Sequence, residues 1–138
     1  MSSTNDWNKK IIQEFRANDG KVGGPFEGMT LLLLHTTGAR SGAARVNPVA
    51  TMQDGDDYII IASKGGAPSN PDWYYNLVAH PVVKVEVGTE EFTALAEVTQ
   101  EPERSQLYDK MAGLYPGFAD YAQKTERVIP VIRLEPQS

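Results

Sequence analysis

The run Thr36-Thr37-Gly38-Ala39-Arg40-Ser41-Gly42-Ala43-Ala44-Arg45 puts two arginines, three hydroxyl side chains and two glycines between two apolar, strand-like segments. A tight loop at the end of a buried strand brings backbone N–H groups close to an anion, and arginine forks onto phosphate or carboxylate oxygens. The chemistry this predicts is the holding of a negative charge.

A second constellation begins at Ala62-Ser63-Lys64-Gly65-Gly66 and continues at Asn70-Pro71-Asp72-Trp73-Tyr74-Tyr75-Asn76. A strand ends in a hydroxyl and an ammonium, a Gly-Gly loop follows, and a helix N-terminus then opens. Each part favours an anion or a close backbone approach. Charge-assisted hydrogen bonds contribute about 1.5–3 kcal/mol each, so Arg40, Arg45 and Lys64 together can anchor a phosphate-bearing ligand. Read alone, either loop is equally well a set of turn residues with solvated charges. At the ends of neighbouring strands, the two read as one site.

The third feature is Tyr115, Phe118 and Tyr121, three apart around a Pro-Gly pair. That spacing fits a core stripe, and it fits a wall over a flat ligand with tyrosine hydroxyls as hydrogen-bond or proton donors. Other chemistries find little support. There is no cysteine, which excludes disulfides, thiolate metal sites and thiol nucleophiles. His35 and His80 are far apart with no obvious carboxylate partner, and read as packing or helix-end residues rather than metal ligands. Ser41 and Ser63 lack a His–Asp relay. No Gly-Lys-Ser/Thr follows Gly38–Gly42 and no Gly-x-Gly-x-x-Gly occurs, so neither a P-loop nor a dinucleotide fingerprint is present.

The elements that must position these residues are mostly strands. Met29–Thr36 and Asp57–Ser63 are apolar on both faces, as interior strands of a closed sheet would be. Val46–Gln53 reads as the strand between them, with a turn around Asp54-Gly55-Asp56. Val83, Val85 and Val87 alternate with Lys84 and Glu86. After a turn at Gly88-Thr89, Phe92, Ala94, Ala96 and Val98 share one face. Ile129–Leu134 closes the sheet, with Pro130 pointing to an edge or bulge. Short turns between such strands indicate an antiparallel barrel, mainly β with helical insertions. The insertions are a helix started by Asn70 as cap and Pro71 at its first position, a second over Glu103–Leu114, and a short aromatic one after Pro116. Ahead of the barrel, Trp7, Ile11, Ile12 and Phe15 form the apolar stripe of an N-terminal helix over residues 1–20. That stripe fits packing on the barrel, or a lid or membrane-surface helix. Lys21–Gly28 is a connector to a single domain over 21–138.

The chain has 138 residues and a net charge of −5. That balance argues against nucleic-acid binding, which rests on phosphate neutralisation. The charge is uneven, however: from Gly28 to Gln53 the only charged side chains besides the histidine are Arg40 and Arg45. A locally positive site on an acidic protein suits a small anionic ligand. No signal-peptide pattern or bilayer-length apolar run appears, which points to the cytoplasm.

The order Thr-Thr-Gly-x-Arg-Ser-Gly-x-x-Arg-Val-Asn-Pro, Ala-Ser-Lys-Gly-Gly-Ala, Asn-Pro-x-Trp-Tyr-x-Asn-Leu and Tyr-Pro-x-Phe-x-x-Tyr resembles the deazaflavin (F420)-dependent nitroreductase family over about Leu31 to Pro136. The resemblance implies a split β-barrel like that of pyridoxamine-phosphate oxidases, with reduced coenzyme F420 as hydride donor. It implies cofactor contacts from Ala39, Arg40, Ser41, and Arg45, Val46, Asn47, Pro48, Val49 and Ala50. Ile61, Ala62, Ser63 and Lys64, with Asp72, Trp73, Tyr74, Tyr75 and Asn76, would complete the cleft. Tyr115, Phe118 and Tyr121 would form the substrate wall, and Tyr115, Tyr121 and Ser63 are the candidates for proton donation or carbonyl polarisation. The implied activity is hydride transfer to an electron-poor organic acceptor: a quinone, conjugated enone or nitro compound. Members active on nitroaromatics tend to carry tyrosine where this chain has Phe118, which removes a hydroxyl from the wall and leaves quinones and enones open. Two alternatives stay open: flavin mononucleotide (FMN) in the same fold, and a non-catalytic F420 carrier. The oligomeric state is also open, as is peripheral membrane contact through the first helix.

Overall fold

Leu31 to Leu34 are all buried, which a strand achieves only when both of its faces are covered. In the computed structural model, which describes residues 3–23, 29–66, 69–126 and 128–137, they open strand β1 (Leu31–Thr37). The others are β2 (Ala44–Ala50), β3 (Met52–Asp54), β4 (Asp57–Ile61), β5 (Val82–Val87), β6 (Glu90–Val98) and β7 (Val131–Pro136). Four helices accompany them: α1 (Ser3–Ala17), α2 (Asp72–Ala79), α3 (Glu103–Leu114) and α4 (Gly117–Lys124).

The strands form one sheet in the order β2-β1-β5-β6-β7-β4-β3, with every pairing antiparallel. Its two ends are neighbours in sequence. Ala50 lies opposite Leu31 of β1, whereas Met52 lies opposite Ile59 of β4. Between them, the Thr51 N–H donates to the Thr30 carbonyl at 2.9 Å and the Thr51 hydroxyl donates to the Ile59 carbonyl at 2.8 Å. One strand thus changes partners at a single residue, and the sheet curls back on itself. The expected split antiparallel barrel is the observed fold.

Alternation along the strands divides the apolar residues between inside and outside. Leu32, Leu34, Ile60, Val83, Val85, Ile132 and Leu134 fill the interior, which Trp73 and Leu77 of α2 plug. Leu31 and Leu33 point outward against Ile11 and Phe15 of α1. Ile59, Ile61 and Val131 point outward against Leu107, Tyr108 and Met111 of α3 and Phe118 of α4. Packing on the barrel is therefore the role of the α1 stripe, as far as it is described. The side chain of Trp7 lies outside the described residues, as do residues 24–28 of the expected connector.

Three local expectations change. β7 sits between β6 and β4, not at an edge. Pro130 falls just before it, where no ladder N–H is required, and its carbonyl accepts the Ala62 N–H at 3.0 Å. Pro71, in extended conformation, takes the cap position expected for Asn70 and makes no side-chain cap bond. Val98 ends β6 partly exposed instead of sharing the buried face of Ala94.

Candidate functional site

The end of β2, the segment after β4, the start of α2 and the α3–α4 joint surround a cleft of about 530 Å³. Pro48, Val49, Ala50, Ile61 and Trp73 give it an apolar lining, which Ser63 and Lys64 and the rings of Tyr115, Phe118 and Tyr121 complete. Both strand ends and the aromatic wall thus meet around one space. Met29, Pro71, Leu114, Pro116 and Gly117 line it too, with no sequence signal beyond their nearness to the motifs.

A second hollow of about 590 Å³ lies on the other side of the first turn of α2. Ala39, Arg40, Ser41 and Arg45 line it from the β1–β2 loop, and Asp72, Tyr75 and Asn76 from the helix. Pro71 and Trp73 face the cleft while Asp72 between them faces the hollow, so a single ligand lying across this turn reaches both. Arg40 and Arg45 are exposed, and neither forms an ion pair among the described residues. A mostly apolar cleft beside a hollow lined by two arginines and one aspartate is a donor set that suits a ring with an anionic tail.

The β1–β2 loop is rigid by construction. The Gly38 N–H donates to the Ala43 carbonyl at 2.8 Å, the Gly42 N–H to the Gly38 carbonyl at 2.9 Å, and the Ala43 N–H to the Ser41 hydroxyl at 3.1 Å. Gly42 has φ +69°, the left-handed conformation that glycine takes most readily. Buried Asn76 ties this loop to α2. Its Oδ1 accepts the Ala39 N–H at 2.9 Å and its Nδ2 donates to the Thr36 hydroxyl at 3.2 Å. Expected as a cofactor contact, Asn76 is in the first place a brace.

On the opposite jaw, the turn over Lys64–Gly66 packs against α4. A Cβ on Gly66, at φ +82°, would come within 3.0 Å of the Tyr121 carbonyl oxygen and of the Lys124 Cβ. Phe118 is buried between the rings of Tyr108, Tyr115 and Tyr121, at centroid separations of 6.4, 6.2 and 5.7 Å, all in edge-to-face arrangement. Tyr115 sits at the joint between α3 and α4. Its hydroxyl accepts the Thr30 N–H at 3.1 Å and donates to the Thr51 carbonyl at 3.2 Å. Its single proton is engaged in the bond that pins the α3–α4 joint to the barrel seam. The wall role of Tyr115 fits this geometry, and the proton-donor role fits it poorly.

Four expected cofactor residues line neither hollow. Val46 points to the α1 side, Ala62 and Tyr74 belong to the barrel interior, and Asn47 is half-buried on β2 without lining either space. Alternation along the chain separates Ala62 from Ile61 and Ser63, which line the cleft.

One network was hidden in the sequence. His35, read there as having no carboxylate partner, bonds through Nε2 to Glu86. Arg16 of α1 forks onto the same carboxylate at 3.2 and 2.7 Å. The Arg16 hydrogen bonds, opposed by burial and aided by His35, hold the Glu86 carboxyl down at about 2. The cluster joins α1, β1 and β5 just below the anion loop.

The fold is that of a split-barrel reductase, with an apolar cleft beside a hollow lined by two arginines. The model of the F420H(2)-dependent quinone reductase family matches residues 7–136, and the chain belongs to that family. The F420H(2)-dependent quinone reductase Rv1261c of Mycobacterium tuberculosis is 38% identical over 127 residues, covering 87% of this chain and 83% of that protein. A solved F420-H2 dependent reductase (FDR-A) superposes with a TM-score of 0.70 at 37% identity, over 76% of this chain and 93% of the other. A pyridoxamine 5'-phosphate oxidase-like protein of Listeria innocua matches with a TM-score of 0.57 at 12% identity, over 96% and 94% of the two chains, a likeness of fold alone. The chain is accordingly an F420H2-dependent reductase, and its cofactor is coenzyme F420.

Proposed function

We propose that this chain reduces a quinone-class acceptor, with the deazaflavin ring in the apolar cleft and the anionic tail in the basic hollow. The observation that carries this reading is the first turn of α2, whose successive residues Pro71, Asp72 and Trp73 face cleft, hollow and cleft. Arg40 and Arg45 would neutralise the tail, while Ser63 and Lys64 hold the junction of ring and tail. Bound there, reduced F420 supplies a hydride equivalent, and the protein's part is binding, orientation and electrostatics. Trp73 and Ile61 exclude water from one side of the slot. Tyr115 and Phe118 close the other side, so that a flat acceptor stacks parallel to the ring.

With the Tyr115 hydroxyl engaged on Thr51, Tyr121 and Ser63 are the residues proposed to give a proton to, or polarise, an acceptor oxygen. Lys124 has its ammonium 5.7 Å from the Tyr121 ring centroid, a cation–π contact that holds the ring in place. Phe118 offers no hydroxyl, so quinones and conjugated enones suit this wall better than nitro compounds.

No helix among the described residues is long and apolar enough to cross a membrane. A cytoplasmic setting belongs to this reading. Peripheral membrane contact through α1 would rest on exposed Lys9 and Lys10, because Ile11 and Phe15 face the barrel.

Titration of the purified protein with F420 and with FMN tests the cofactor assignment, with F420 expected to bind far more tightly. Oxidation of F420H2 is then followed across quinones, enones and nitro compounds, with quinones expected to give the highest kcat/KM. Tight binding of FMN alone would overturn the cofactor assignment. Tight F420 binding without turnover on any acceptor would make the chain a carrier.

A further inference from the structure

A hollow of about 510 Å³ lies beyond Tyr115, away from the cofactor tail. Thr30, Thr51, Met52, Gln53, Tyr58 and Val87 line it, so its surface mixes polar and apolar groups. Leu114 and Tyr115 line both this hollow and the main cleft, so the two spaces share a boundary. Tyr115 is a fixed post within it, held by the Thr30 N–H and the Thr51 carbonyl. Leu114 beside it is 58% exposed although it ends a helix whose Leu107 and Met111 are buried. An exposed leucine on the rim between two hollows makes an apolar saddle.

We propose that this hollow is a subsite for the lipophilic side chain of a quinone acceptor. The inference rests on the quinone-reductase reading above. A quinone ring stacked in the cleft against Phe118 and Tyr115 must direct its side chain out of the slot. The basic hollow with Arg40 and Arg45 is unsuited to hydrocarbon, because covering those guanidiniums with an apolar chain removes water from charge without replacing it. The path over Leu114 leads instead onto Met52, Tyr58 and Val87. Tyr58 and Val87 are half-buried and Leu114 is exposed, and these surfaces gain from burial of each methylene laid on them. The subsite thus selects acceptors by side chain and leaves the redox chemistry to the cleft.

The test uses naphthoquinones bearing no side chain, one isoprene unit or two, with the full chain and F420H2. Gln53 is exposed and lines this hollow but not the cleft, so Gln53→Trp fills the subsite and Gln53→Glu places a charge in it. For the unsubstituted chain, one isoprene unit should lower KM about tenfold. Both variants should abolish most of that gain while keeping kcat/KM for the tailless quinone within about twofold. Calorimetric binding of the same quinones, without turnover, should show the same pattern. Equal KM for tailed and tailless quinones would overturn the proposal. So would variants that weaken both alike, or a variant that changes only the oligomeric state, which would make the hollow a contact between copies. Failure of the unsubstituted chain to reduce any quinone would count against the function itself, and the binding measurement would still decide the subsite.

Discussion

Asn76 of α2 accepts the Ala39 N–H at 2.9 Å, and so fixes the loop that carries Arg40 to the helix that carries Asp72 and Trp73. The pair is 37 residues apart in sequence, yet it ties the β1–β2 loop to the first turns of α2, the two elements that line the basic hollow. Asn76→Ala leaves the part-buried Ala39 N–H and the buried Thr36 hydroxyl without this partner, at a cost of about 1–3 kcal/mol. F420 affinity should fall several-fold with it. Asn76→Asp keeps the acceptor for Ala39 but adds a negative charge at the basic hollow. If that hollow binds the tail, Asp should recover melting temperature relative to Ala and still bind F420 more weakly than the unsubstituted chain. Thermal melts and F420 titration read the two effects separately.

The basic residues themselves should behave in the opposite way. Arg40 and Lys64 are exposed, and the Lys64 ammonium reaches only the Ser69 hydroxyl, at 3.4 Å, among the described residues. Substituting either by alanine should move stability by no more than about 0.5 kcal/mol. F420 affinity should drop about tenfold in low salt for each, and the deficit should shrink as salt screens the remaining charges. Unchanged affinity in both variants would place the tail elsewhere.

The two tyrosines of the wall should separate cleanly. Tyr115→Phe removes the bridge between the Thr30 N–H and the Thr51 carbonyl at the barrel seam, so its main effect should be a stability loss of about 1–3 kcal/mol. Tyr121→Phe disturbs no such bridge, and should lower kcat with little change in melting temperature. Tyr121→Phe should also change the pH profile of kcat if that phenol carries the proton. Equal kcat losses in both variants would return Tyr115 to the chemistry.

These cases show what one sequence makes legible and what it withholds. The strand pattern, the helix over Glu103–Leu114 and the loop rich in arginine and glycine follow from periodicity and turn chemistry, which are local. Helical spacing groups Tyr115, Phe118 and Tyr121 but leaves core and wall open; Phe118 is buried, and all three line the cleft. The bracing bonds do not follow from local pattern, because Ala39 to Asn76, Tyr115 to Thr51 and His35 to Glu86 are set by how the barrel closes. The same closure decides which residues reach the cleft: Ala62 turns into the barrel interior while Ile61 and Ser63 on either side of it line the cleft.

Glu86 gives a pH-dependent test of the α1 anchor. Its folded carboxyl is held at about 2 against an ordinary 4.5, chiefly by Arg16. A depressed carboxyl contributes stability that is fully present above the unfolded value and disappears as pH falls through the folded one. With Arg16 half in water, the contribution is on the order of 2 kcal/mol. The unsubstituted chain should therefore lose stability between pH about 4.5 and 2, and Glu86→Gln should start lower but lose less over the same interval. Parallel curves for the two proteins would show that the cluster does not anchor α1.

Gly66 tests whether the jaws of the cleft are set by direct contact. At φ +82°, with an added Cβ falling 3.0 Å from the Tyr121 carbonyl oxygen and from Lys124 Cβ, alanine is strained by its backbone and obstructed by α4 together. Left-handed conformations cost a non-glycine residue about 1–2 kcal/mol before any clash. The helix must then retreat or the turn must unwind. Because Lys64 and Tyr121 sit on the two sides of that contact, either response widens the cleft. Gly66→Ala should therefore destabilise the protein by about 2 kcal/mol and raise KM for the acceptor more than it weakens the tail contacts of Arg40. Gly55→Ala is the control. Gly55 also has a positive φ, +63°, but nothing lies within 4 Å of its added Cβ, so it should show the backbone cost without the change in KM. If both variants leave KM untouched, the Lys64–Gly66 turn and α4 do not set the width of the cleft.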